Sequence, residues 1–317
     1  LVLFLQTKNR FLNERPDMHQ TPEQQENQAT ICRVTCGWKL PHLDLAVVRP
    51  YWRDAHSPGI ARRPGIYEYR HYPLDPPIAL FGNVQGIDSD CPDDARLMWL
   101  SDVRYADQAG LDEFSAHPGP YERSKLLGDI DMIVDRSTTY RVLGANGDTL
   151  RDATGWPAPA GPARSPIFQV FFRARLELET FRAALRGIAA RWAATDGVQR
   201  VRLSLFEIPD LEAERKAGYP IKTHPPEQQY QGWIDLVIDS EAVAAGLLTP
   251  DDAAQIATVH AYPAPAVYTF NHAGRPTLAG LRGYPAVKAI AELGATHQKD
   301  GQLLHWMYGD VADGVAL

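Results

Sequence analysis

The sequence predicts an α+β fold made of two tandem β-α-β-β-α-β units. Three observations carry that expectation. The order strand, helix, strand, strand, helix, strand occurs twice, a stretch dense in Pro and Gly separates the copies, and each copy opens on a strand followed directly by an amphipathic helix. With 317 residues, 44% hydrophobic and 22% charged, the chain has a globular composition and enough length for two domains.

In the first copy, residues 30–40 read as a strand and 44–55 as a helix capped by Asp44, with Pro50 inside it as a source of a kink. Residues 66–74 form a second strand entered through Pro64-Gly65, 96–104 a third, 105–116 a second helical region and 138–143 a fourth strand. In the second copy, Phe168, Val170 and Phe172 share one face of a strand over 167–175. Leu178, Phe181, Leu185, Ile188 and Trp192 then recur at helical spacing. Strands follow at 198–208 and 230–238, where apolar and polar residues alternate. Residues 240–259 read as a helix interrupted at Thr249-Pro250, and 261–270 as a last strand restricted by Pro263 and Pro265.

This order is the ferredoxin-like motif, an antiparallel sheet with helices on one face. Each sheet then keeps a second face to cover. Packing the two together, with Phe168, Val170 and Phe172 turned inward, predicts an intrachain dimeric α/β barrel with a cavity inside. The expected divisions are a loose polar arm at 1–29, a first unit at 30–143, an irregular Pro/Gly-rich linker at 144–166, a second unit at 167–270 and a helical extension at 271–317.

A net charge of −7 offers no footprint for nucleic acid or an anionic membrane. No apolar run reaches the roughly 20 residues that span a bilayer. Three cysteines cannot make a disulfide framework and suit a reducing cytoplasm. Cys32 and Cys36, about 13 Å apart on a strand, are too distant to share a metal, so no metal site is expected. The acidic stretches Asp93-Asp94 and 129–135, and the basic Arg182, Arg186 and Arg191, read as solvated faces. The sequence has no G-x-S-x-G elbow, Walker loop, G-x-G-x-x-G or H-E-x-x-H motif.

The run Tyr51-Trp52-Arg53-Asp54-Ala55-His56-Ser57-Pro58, followed by Arg63-Pro64-Gly65-Ile66, resembles the EthD-like family, in which an aromatic-Trp helix ends in His-x-Pro before a Pro-Gly entry to the second strand. That family belongs to the dimeric α/β-barrel superfamily. The resemblance implies a cavity without choosing a reaction, because relatives include cofactor-free monooxygenases, muconolactone isomerases, polyketide cyclases, haem-dependent peroxidases and aldoxime dehydratases. The second copy has Ala193-Ala194-Thr195-Asp196 where a His-x-Pro would stand, so the two halves are expected to differ in role.

His56 is the expected general base, since an imidazole needs little tuning to work near neutrality. Tyr69, sharing a strand face with Tyr67 and His71, is the expected stabiliser of oxyanion charge. Tyr51, Trp52, Tyr67, His71, His224 and Tyr230 are further candidates for substrate contact. Glu68 joins them because a one-residue change of strand phase would turn it inward in place of Tyr69. The expected activity is that of a cofactor-independent lyase, isomerase or cyclase acting on a small apolar or aromatic compound. The alternatives are a haem-dependent enzyme of the aldoxime-dehydratase type and a non-catalytic carrier of a hydrophobic small molecule. A homodimer through the outer helices or the C-terminal segment stays open.

Overall fold

A computed structural model describes residues 20–117, 119, 121, 125–209 and 226–312. In chain order its strands are β1 (Ile31–Lys39), β2 (Glu68–Pro73), β3 (Trp99–Tyr105), β4 (Val134–Leu143), β5 (Gly147–Asp152), β6 (Ala160–Pro162), β7 (Ile167–Ala174), β8 (Val198–Leu205), β9 (Gly232–Ile238), β10 (Ile256–Pro263), β11 (Ala266–His272) and β12 (Arg275–Pro276). The helices are α1 (Pro22–Glu26), α2 (Leu45–Tyr51), α3 (Ser57–Ala61), α4 (Gln108–Ala116), α5 (Ile130–Ile133), α6 (Leu178–Ala193), α7 (Leu278–Arg282), α8 (Tyr284–Glu292) and α9 (Gly301–Tyr308).

The strands form two antiparallel sheets. The first contains the order β4-β1-β3-β2 and the second β10-β7-β9-β8, so each has the fourth-first-third-second arrangement of a ferredoxin-like unit. The expected tandem is therefore present, and the sheets face each other as in a dimeric α/β barrel made by one chain. Cys32, Val34, Cys36 and Trp38 of β1 meet Ile167, Phe171, Trp233 and Val237 of the second sheet in one buried cluster.

The segment 144–166 is not the irregular linker expected from its Pro and Gly content. It carries β5, which pairs with β8 at the edge of the second sheet, and β6, which pairs with β11. The expected strand over 261–270 is likewise two strands. β10 lies on β7 in the second sheet, and after Ala264-Pro265 the chain crosses to lay β11 on β2 in the first. Proline at that point cannot donate to a ladder, so the strand ends and changes sheet there. Residues 240–259 do not form the expected interrupted helix. They contain two 3₁₀ turns, Glu241–Ala244 and Pro250–Ala254, before β10 begins.

Strand phase also differs. Phe168, Val170 and Phe172 face away from the first sheet and pack on Phe181, Leu185, Ile188 and Trp192 of α6, because the apolar stripe of that helix needs the same face. Their neighbours Ile167, Gln169 and Phe171 look between the sheets. On β2 it is Glu68, Arg70 and Tyr72 that look between the sheets, whereas Tyr69 lies in the helix-side core with Phe270.

The space between the sheets is largely filled, leaving a small cavity of about 40 Å³ beside Arg70, Tyr72, Arg200 and Asp235. Aromatic and aliphatic side chains occupy one part, and an ionic cluster of Arg70, Arg104, Arg200 and Arg202 with Glu26, Glu68, Asp102, Asp152 and Asp235 occupies the rest, every member buried. Glu26 belongs to the segment read from sequence as a loose arm. Residues 20–29 are instead docked, because the carboxylate of Glu26 answers the arginines of both sheets. Arg182 departs from the solvated face expected of it: it is buried and donates to the Phe206 carbonyl.

Candidate functional site

The best-formed cavity lies on the outer face of the first sheet, under α2 and α3, rather than between the sheets. Its position follows from the local sequence. Asp44 caps α2 by accepting from the Ala46 N–H, and Pro50 then removes one helical donor. The next residues, Trp52–His56, form a π turn in which the Ser57 N–H reaches back to the Trp52 carbonyl. Such insertions re-aim side chains. Here the turn stacks the His56 ring on Trp52, with centroids 4.1 Å apart and planes 25° apart. The helix expected to stop at Ala55 thus continues as α3 to Ala61.

The cavity has a volume of about 160 Å³. Trp52, Ile60, Trp99, Val103 and Phe114 give it an apolar wall, and Thr35, Ser101, Ser137 and Thr139 put hydroxyls on its strand floor. Trp99 lies flat against Gly37, where a Cβ would fall 2.1 Å from the indole ring, so glycine is what lets the tryptophan form this wall.

His56 lines the cavity and is buried. Its Nδ1 lies 3.0 Å from Asp129 Oδ2 and 3.2 Å from Oδ1. A carboxylate accepts, so Nδ1 carries the proton and Nε2 is left as the basic nitrogen. Tyr51, itself largely exposed, donates to Asp129 Oδ2 at 2.9 Å. Burial opposes ionisation of Asp129, but the bonds from His56 and Tyr51 outweigh it and hold the carboxyl below its usual range. Asp129 came from an acidic stretch read as solvated. Its 73-residue separation from His56 gives no local signal of the pairing.

Tyr69 lines the same cavity and donates to Ser57 Oγ at 2.9 Å. Burial pushes its phenol up to about 12, so at neutral pH it stays a proton donor. The other candidates lie elsewhere. His71 is buried behind the wall, its Nδ1 3.4 Å from Ser101 Oγ, and burial drives its imidazolium down to about 3. Tyr67 donates to the Gln25 carbonyl, and Glu68 binds Arg70 and His272 between the sheets. Tyr230 sits in the intersheet core with its Oη 2.7 Å from His260 Nδ1. Since His260 Nε2 faces the Asp90 carbonyl, Nε2 must donate and the tyrosine donates to Nδ1. His224 lies outside the described residues. The structure therefore brings His56, Tyr69, Trp52 and, through Asp129, Tyr51 to one site.

Among the described residues, no group of three or more His, Cys, Asp or Glu could hold a metal ion. No helix among the described residues is long and apolar enough to cross a membrane.

No family model matches the chain, and no curated protein matches it. Solved structures similar to it include a candidate monooxygenase from Lactobacillus acidophilus NCFM, at TM-score 0.42 and 8% identity over 77% of this chain and 97% of that one. An anthrone oxidase-like protein matches at TM-score 0.44 and 14% identity over 77% and 94%. A candidate DyP-type peroxidase from Shewanella oneidensis matches at TM-score 0.38 and 8% identity over 75% and 93%. Likeness at this level says nothing of the reaction.

Proposed function

We propose that the cavity under α2 and α3 is the active site of a cofactor-independent lyase, isomerase or cyclase acting on a small apolar or aromatic compound. The single observation that carries this reading is the Asp129–His56 pair at the wall of an aromatic-lined cavity. Asp129 fixes the tautomer, His56 Nε2 accepts a proton from the substrate, and Tyr69 turns its hydroxyl from Ser57 to donate to the oxygen on which negative charge develops. Trp52 and Trp99 hold the apolar body and keep water away from the imidazole. The EthD-like run at 51–66 supports the assignment in sequence, since it supplies both the tryptophan and the histidine.

The test is turnover and binding measured together on a panel of small enols, lactones and phenols. His56→Gln is expected to lower turnover by about 10²-fold or more while binding changes little. Asp129→Asn is expected to act in the same direction through a disordered tautomer. Turnover unchanged in His56→Gln would refute the general-base role; binding without turnover in the wild type would favour a carrier.

A further inference from the structure

The cavity floor carries a row of polar side chains across four strands. Strand register sets them side by side: Thr139 on β4 pairs with Thr35 on β1, Thr35 with Ser101 on β3, and Ser101 with His71 on β2. Directly paired residues point to one face of a sheet, with Cβ atoms about 4.5–5.5 Å apart. Here that face lies under α2 and α3, and Thr139, Thr35 and Ser101 all line the cavity.

The row is bonded at its two ends and open in the middle. Thr35 Oγ1 lies 3.0 Å from Thr139 Oγ1, and Ser101 Oγ lies 3.4 Å from His71 Nδ1. Among the described residues no hydrogen bond joins Thr35 to Ser101. Two threonine hydroxyls that share one bond leave one proton undonated, and a serine hydroxyl with one partner keeps two positions free. Between walls of Trp52, Trp99 and Phe114, the partner they lack must come from what enters the cavity. Tyr69 stands beside the gap, two residues before His71 on β2. Burial raises its phenol, and Ser57 and Ser101 both act against that rise.

Size sets the other limit. A cavity of about 160 Å³ matches the roughly 150 Å³ of an apolar cavity that holds a single benzene. We infer that the site takes a one-ring substrate bearing a hydroxyl or carbonyl oxygen, and that this oxygen completes the row by sitting between Thr35 and Ser101. These two hydroxyls then determine specificity, because a ring without the oxygen leaves them unpaired. The ring would lie against the aromatic wall, with its oxygen on the side of the cavity that holds Tyr69. The inference rests on the reading of this cavity as a substrate site and adds the group that the site selects and the residues that select it.

Calorimetric titration with phenol and with toluene, rings of similar size that differ in the oxygen, tests it. The wild type is expected to bind both. Thr35→Val and Ser101→Ala are each expected to weaken phenol about three- to tenfold, the worth of one neutral hydrogen bond, with toluene held within about twofold. Thr35→Ser, which keeps the hydroxyl, is expected to bind phenol as the wild type does. If Thr35→Val or Ser101→Ala does not fold, the other and Thr35→Ser decide. Phenol affinity unchanged in Thr35→Val or in Ser101→Ala, or both ligands weakened alike, would overturn the inference and leave an aromatic site standing. Wild-type binding of toluene without phenol would do the same. Binding of neither would overturn the substrate-site reading as well.

Discussion

Arg200 grips Glu26 with both terminal nitrogens, Nη1 to Oε1 and Nη2 to Oε2, each at 2.8 Å. The fork ties α1 to β8 of the second sheet. The same carboxylate accepts from Arg70 at 2.7 Å and Arg104 at 3.1 Å in the first sheet, and from Thr149 Oγ1 at 2.8 Å in the second. One side chain from the N-terminal segment therefore fastens the two sheets to each other.

Glu26→Ala is expected to cost about 3–5 kcal/mol, because it leaves guanidinium groups buried without their partner. A fall in the urea midpoint reads it. The acid side follows by linkage. Burial opposes ionisation, but Arg200, Arg70 and Arg104 outweigh it and hold Glu26 well below its usual 4.5. A carboxyl lowered by folding stabilises fully above its unfolded value, and that stabilisation is lost as the pH falls through the folded one. Glu26→Gln should lose less of its own stability than the wild type does below pH ~4.5; parallel losses would contradict the pairing.

His71 predicts a second pH dependence at a higher window. Burial chiefly, with the charges of His56, Arg53 and Arg49, lowers its value from 6.5 to about 3. The unfolded chain takes up a proton near 6.5 and the folded chain does not until about 3, so stability falls as the pH drops through that interval. The slope approaches about 1.4 kcal/mol per pH unit for one proton. His260, lowered to about 4, acts in the same sense. Midpoints of urea unfolding between pH 7 and 4 should decline less steeply in His71→Gln than in the wild type.

Gly37→Ala probes the cavity wall without touching His56. The added methyl would fall 2.1 Å from Trp99 Cζ2, so the indole must move. A loss of about 1–3 kcal/mol is expected from overpacking, together with a changed near-ultraviolet dichroism and weaker ligand binding. An unaltered dichroism would show that Trp99 does not rest on Gly37.

The sequence made the two ferredoxin-like units readable because the apolar stripe of α6 and the alternation in β1, β7 and β9 are strong periodic signals. Phase was harder. A strand between a helix layer and a second sheet is buried on both faces, so alternation shows two faces without saying which partner each meets. Glu68 with Arg70, Asp102 with Arg104, and Arg200 with Arg202 are charged residues two apart inside strands, and each pair lies on the intersheet face. Three such pairs were a signal of an ionic cluster. Tyr69 and His56 do share a cavity, reached through the helix-side face rather than the intersheet one. Asp129 was out of reach, since a partner brought in by tertiary folding leaves no mark near the histidine.

The crossing at Ala264-Pro265 has a consequence for how the molecule is made. β2 stays an open edge until β11 lies on it, and β11 ends at His272. A ribosome releases the whole first unit long before it releases that strand, so an emerging chain carries a bare strand edge through most of its synthesis. The second sheet does not share the exposure, because β5 precedes it and waits for β8. Severing the chain ahead of β5 would leave the left-hand fragment without its last strand, and the right-hand fragment without Glu26. The halves repeat one topology, yet each is completed by a piece from beyond its own repeat, β11 for the first sheet and Glu26 for the second.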